Sequence, residues 1–181
     1  MSGINKILNQ IKDFHFSHDP PFLERAFGIM SLYFPFIEAC SYFGPKFYLN
    51  ITNMEMRKFY AFHIVKWSNF YAENNLLIFI FMIWVFIQCS RGAFPFTLYG
   101  RFTIIQGILL NIVVSCFGIT YAFLPPVFRE SLPGNLCAIT MYIGVIFTIM
   151  YSTILIVFGR YPNIPVISEG AKLQVQRGSG M

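Results

Sequence analysis

Apolar residues gather along this chain in long unbroken runs, not in the short alternation of half-buried strands. Residues 74–90, 102–124 and 131–159 contain no Asp, Glu, Lys or Arg. Four segments are long and apolar enough to be membrane helices, at about 26–43, 74–90, 102–124 and 136–158. The second lies at the short end of the spanning range, whereas the third and fourth can cross with some tilt. The first, AFGIMSLYFPFIEACSYF, carries Pro35 and Glu38. An acid and a proline are costly against lipid, so this helix is expected to pack against the others. The pattern predicts an all-α integral membrane protein, a four-transmembrane-helix bundle over 26–158.

Two further amphipathic stretches flank the first span. In residues 1–25, Ile4, Ile7, Leu8 and Ile11 share one face of a short helix that ends at the turn His18-Asp19-Pro20-Pro21. This stretch has neither the compact apolar core of a signal peptide nor the acid-poor character of a transit peptide. In the long connection before the second span, Met56, Phe59, Tyr60, His63, Ile64, Trp67, Phe70 and Tyr71 form a stripe bordered by Arg57, Lys58 and Lys66. That arrangement suits an amphipathic interfacial helix lying in the headgroup layer.

Composition sharpens this picture. Of 181 residues, 56% are hydrophobic and only 12% charged, about half the charge that a water-covered surface carries. A soluble enzyme is thereby excluded. The net charge of +5 is broken up by the apolar runs and makes no basic face, so no nucleic-acid partner is expected. With four spans both termini share a side. That side collects Lys6, Lys12, Arg25, Arg91, Arg101, Arg160, Lys172 and Arg177, against Lys46, Arg57, Lys58, Lys66 and Arg129 opposite. The excess places both ends on the side where the protein is made.

Catalytic and metal chemistry find no footing. Cys40, Cys89, Cys116 and Cys137 are scattered, and His15, His18 and His63 fall outside the spans. A zinc site, a redox pair or transmembrane haem ligation would need such ligands to converge. No Asp follows Asp19 and no Gly-rich phosphate loop occurs, so the chain reads as no enzyme, with no cofactor and no metal.

What the spans do offer is polar stripes. The third carries Thr103, Gly107, Asn111, Ser115, Gly118 and Ala122, and the fourth Thr140, Gly144, Thr148 and Ser152. The first shows Gly28, Ser31, Pro35, Glu38 and Tyr42, and the second almost nothing before Gln88. Spans one, three and four are therefore expected to meet at their polar faces, with span two outermost. Gly107, Ser115, Gly118, Gly144 and Thr148 suit close helix packing. Glu38, Gln106 and Asn111 either join that packing or border a hydrophilic passage, an intramembrane carboxylate being a functional candidate by default.

Two stretches are more specific. One is the entry to span three, Arg101-Phe-Thr-Ile-Ile-Gln-Gly-Ile-Leu-Leu-Asn. The other is the tail 159–181, with Ile164-Pro165-Val166-Ile167-Ser168-Glu169-Gly170 and then Gln174-Val175. Both resemble the Tic-twenty family, a membrane subunit of the protein-import translocon of the chloroplast inner envelope with cyanobacterial relatives. The first span, with Glu38 where the family commonly has Asp, is a looser match. The chain departs from the family pattern at Thr103, where Asn is usual, and at Gly107 and Gly170, where Ala is usual.

In the tail, Arg160 can anchor at headgroups and Ser168 can N-cap a short helix after Pro165, with Glu169 at its positive end. These residues serve either as a partner-docking surface or as an interfacial anchor. The resemblance implies a translocon subunit whose partners are other inner-envelope translocon subunits, precursor polypeptides in transit and the lipid bilayer. It also implies a setting in the plastid inner envelope, with both termini stromal, or in a cyanobacterial plasma membrane. Four helices packed to native density leave no polypeptide-wide channel, so a conducting role requires a homo-oligomer or partner subunits. The rivals are a four-helix solute or ion transporter and a purely structural assembly subunit.

Overall fold

The computed structural model describes residues 20–49 and 52–179, and among these all regular structure is helical. The amphipathic segment expected around Ile4–Ile11 lies outside the described residues. Four long helices dominate: α1 (Phe22–Tyr42), α5 (Asn75–Arg91), α6 (Leu98–Phe123) and α8 (Leu132–Val157). Shorter elements join them: α2 (Gly44–Leu49), α3 (Met54–Phe59), a π-helical segment (Tyr60–Val65), α4 (Lys66–Glu73), α7 (Pro126–Glu130) and, in the tail, α9 (Ile167–Ser179).

Each long helix begins earlier than the apolar runs suggest, apart from α5. Helix α6 starts four residues before 102, so Arg101 is inside it. Helix α8 starts at Leu132 because Ser131 caps it, the Ser131 hydroxyl accepting from Gly134 N–H, and Pro133 is tolerated in a first turn. At their far ends α5 and α8 stop on glycines with left-handed backbone, Gly92 and Gly159. In both, the paired N–H bonds back to the last turn form a Schellman motif: Gly92 to Cys89 and Ala93 to Gln88, then Gly159 to Ile156 and Arg160 to Leu155.

By length and apolarity α6 and α8 are each able to cross a membrane, and the bent pair Arg57–Glu73 and Asn75–Arg91 passes as one unit with an 80° break. Helix α1 does not pass on composition, since it carries Glu24, Arg25 and Glu38. It nevertheless forms the main seam of the fold. Gly28 lies on Thr103, Ser31 on Gly107, Glu38 on Ser115 and Tyr42 on Gly118. Both numbers rise together, so α1 and α6 run parallel, side by side along most of their length. A Cβ on Gly107 would sit 2.9 Å from the Ser31 backbone carbon, and one on Gly118 would collide with the Tyr42 ring. The Tyr99 hydroxyl donates to the Ile156 carbonyl at 3.2 Å, which places the start of α6 beside the end of α8. Arg101 likewise places it beside the end of α5. Gly28 lies by Ile156 and Cys40 by Tyr142, so α8 is antiparallel to α1 and hence to α6, and α5 ends where α6 begins.

This arrangement corrects two expectations. Spans three and four do not share a polar seam; α1 lies between them, and α8 is mostly exposed, with α5 also peripheral. Gly144 has no atom within 4 Å of an added Cβ, and its carbonyl is occupied only by Thr148 of the same helix. Small residues permit close approach but do not supply the partner. The expected interfacial stripe also divides. Tyr60 and Tyr71 turn inward, Ile64 is half-buried, and Phe59, His63, Trp67 and Phe70 are exposed. The π-helical segment between them adds residues to a turn and shifts the register of the face.

Replacing Gly107 with Leu should overpack the α1–α6 seam and lower bundle stability by about 1–3 kcal/mol. Gly144→Leu should change it by less than about 0.5 kcal/mol. Thermal unfolding of both variants in nanodiscs checks the contrast, and equal effects would contradict the seam.

Candidate functional site

The ends of α1, α5, α6 and α8 gather at one pole of the bundle with the tail, and most of the buried polar chemistry is there. A helix leaves its first N–H and last C=O groups without internal partners. Here charged side chains from neighbouring helices take them up. Glu24, only 4% exposed, accepts from Thr97 N–H at 2.9 Å and Gly100 N–H at 3.1 Å, and the Thr97 hydroxyl also donates to it. Its negative charge thus sits on the positive end of α6. The next residue, Arg25, does the reverse at α8, donating to the Val157 carbonyl at 3.2 Å and to Pro20 O at 3.0 Å.

Arg101 is 7% exposed and serves two elements. Its Nε donates to Cys89 O at 2.7 Å and its guanidinium to Ser90 O at 3.0 Å, at the negative end of α5. The same guanidinium reaches Val175 O of α9 at 3.5 Å. One turn on, Gln106 donates from Nε2 to Pro162 O at 3.2 Å and to Ser168 Oγ at 2.9 Å. Ser168 was expected to cap α9. It lies within the first turn instead, and its hydroxyl accepts from Ile164 N–H at 2.7 Å, closing the bend before the helix. Tyr161 packs edge-on against Tyr99 and Phe102, and Ala171 and Val175 are fully buried against α5 and α6. The tail is therefore an integrated part of the fold, held by Arg101 and Gln106.

The remaining residues singled out from sequence divide into two groups. Asn111 and Glu38 are buried on the α1–α6 seam, where Ser115 Oγ donates to Glu38 Oε1 at 2.5 Å. Gln106 is at the polar pole, away from that pair. Gly107 and Gly118 are closed by α1, and Thr148 is half-buried on α8. Arg160, Pro165 and Glu169 are exposed on the tail. Glu24 and Arg101 were not foreseen as site residues. The available signal was a basic residue in the first turn of a helix, where the dipole disfavours it; such a residue serves another helix.

The tail also contains a strained turn. Val166 has φ 67°, and Ile167 N–H reaches back to Pro165 O at 2.8 Å across it. A left-handed β-branched residue in so tight a turn costs on the order of 1–2 kcal/mol and persists because its surroundings over-determine it.

With this geometry in view, the comparisons with known proteins become informative. Residues 4–171 match the family described as chloroplast import apparatus Tic20-like. The chain belongs to the Tic20 family. A Tic20 family protein Ycf60 of Gracilaria tenuistipitata var. liui is 29% identical over 165 residues, covering 89% of this chain and 79% of that protein. Its counterpart in Pyropia yezoensis is 30% identical over 153 residues, covering 83% and 75%. A Tic20 family protein of Synechocystis is 27% identical over 154 residues, covering 84% and 93%. Of the Tic20-like residues recognised in the sequence, Arg101, Phe102, Gln106, Ile164, Ser168 and Val175 belong to the tail clamp, whereas Pro165 and Glu169 are exposed on its surface.

Gln106→Leu should release the tail, raising the rate of tryptic cleavage at Lys172 several-fold while leaving the bundle within about 1 kcal/mol of the parent. Unchanged cleavage would show that Gln106 does not hold it. Val166→Gly should slow the same cleavage by relieving the left-handed strain, and faster cleavage would contradict the strain assignment.

Proposed function

We propose that this Tic20-family chain is a membrane-embedded, non-enzymatic subunit of a translocon that imports precursor proteins across the plastid inner envelope membrane. The observation that carries the reading is family membership over residues 4–171, joined to the fact that several of the family-like residues, Arg101, Phe102, Gln106 and Ser168 among them, meet in the tail clamp. The helix directions support four spans. If α6 crosses, α1 beside it crosses in the same direction, and α5 and α8 return. Both termini then lie on the stromal side, at the pole of the tail clamp, an orientation that the distribution of Lys and Arg favours. In a cyanobacterial setting the same orientation would apply to the plasma membrane.

Glu38 and Asn111 face the chain's own interior, and Gly107 and Gly118 close the α1–α6 seam. A polypeptide path therefore runs along an outer face, completed by other translocon subunits or by further copies. The outer faces of α6 and α8 are the better match, since Thr120 on the first and Thr140 and Gly144 on the second are exposed among apolar residues. The outer face of α5 is Leu, Ile, Phe and Trp, which suits lipid. The exposed Thr140–Gly144 stripe also favours a second reading, a structural subunit that only docks neighbours.

Photo-crosslinkers at Phe117, Phe147 and Tyr151 should form adducts with a translocation-arrested precursor in intact organelles, and these should vanish when the precursor is chased through. A probe at Trp84 should label lipid. Adducts only to other membrane subunits, from every position, would sink the path and leave the structural reading.

A further inference from the structure

Towards the far end of the α1–α6 seam, three helices bring polar side chains together, and two buried oxygens there, one on Glu38 and one on Asn111, are left without a hydrogen-bond partner. Glu38 and Asn111 are each 2% exposed, and Tyr71 of α4 is also buried. Glu38 Oε1 accepts from Ser115, but Glu38 Oε2 has no hydrogen-bond partner, and neither has Asn111 Oδ1. Asn111 and Ser115 are one turn apart on the same face of α6, and the Tyr71 phenol lies within hydrogen-bonding reach of both Glu38 and Asn111, its O–H directed to the carboxylate. Among the described residues Glu38 has no ion-pair partner, and the salt bridge between Lys58 and Glu55 lies at the surface. An uncompensated carboxylate in an apolar interior costs several kcal/mol, and an orphaned carbonyl oxygen adds to it. A cation lying between the two unpartnered oxygens would compensate both.

The donor set says which. It consists of a carboxylate, an amide carbonyl and a phenol, with a serine hydroxyl alongside and no nitrogen or sulfur ligand. Such hard oxygen ligands select alkali or alkaline-earth ions over transition metals. One negative charge matches one positive charge, whereas a divalent ion would leave net charge in the interior. We propose that Glu38, Asn111 and Tyr71 bind one hard monovalent cation, of the sodium or potassium class, which ties α4 to the α1–α6 seam. The inference is independent of the import reading, since it concerns only what holds these three helices together.

The test uses the full chain in nanodiscs, with thermal unfolding followed by the fluorescence of Trp67 and Trp84. Sodium or potassium chloride replaces choline chloride at constant ionic strength. The expected result is a saturable rise in the unfolding midpoint with one or both alkali salts, as for any ligand that binds only the folded state. Glu38→Gln should abolish the rise. Tyr71→Phe, which keeps the ring, should raise the half-saturating concentration several-fold. Equal midpoints in choline and alkali salts, or a rise that survives in Glu38→Gln, would overturn the site. So would a protonated-carboxyl infrared band that is present in the parent and absent from Glu38→Gln, because a proton would then be the compensating charge. If Glu38→Gln fails to fold, Tyr71→Phe decides: an unchanged half-saturating concentration removes the cation from this pocket.

Discussion

The constraint on which the rest of the structure depends is the need to satisfy helix ends close to lipid. Unpaired N–H and C=O groups at such ends are costly where water is scarce. This chain meets the need with charged side chains lent from one helix to another. Glu24 closes the start of α6, Arg25 the end of α8, and Arg101 the end of α5. Each charge has the sign that its helix terminus favours. Glu24 and Arg101 can therefore be buried with no ion pair formed between them. The salt bridge between Lys58 and Glu55 is exposed and worth at most about 1 kcal/mol.

That lending fixes the architecture. Adjacent residues at the start of α1 grip α6 and α8, so α1 is held between two more apolar helices despite its own charges. The parallel seam follows, with Gly107 and Gly118 admitting the α1 backbone and the Tyr42 ring. Arg101 and Gln106 extend the same logic to the tail, binding carbonyl and hydroxyl oxygens of residues 162–175. The pole that results combines four helix ends and a docked tail helix.

Much of this was legible in the chain, and the losses have physical reasons. The runs at 102–124 and 136–158 coincide with α6 and α8 because charge-free length is a direct consequence of lipid. The acidic first helix was recognised as one that must pack, and it packs on both sides. Gln106 and Ser168 were each singled out, but nothing in their spacing says that they touch across 62 positions. Capping in trans escapes any periodicity, which is why Glu24 and Arg101 were missed. Gly107 and Gly144 carry the same local signal, yet one is closed and the other open. Periodicity defines a face; only tertiary contact says what meets it.

The most direct test of this account asks whether α1 crosses the membrane in register with α6. Single cysteines at Phe22 and Leu49, both exposed and beyond opposite ends of the seam, can be placed in a chain whose exposed Cys116 and Cys137 are replaced. Labelling with a membrane-impermeant maleimide in sealed vesicles should then reach the two positions from opposite sides, with the Phe22 site on the same side as the tail. Labelling of both from one side would mean that α1 does not span, and the parallel seam could not stand as the core of the membrane domain.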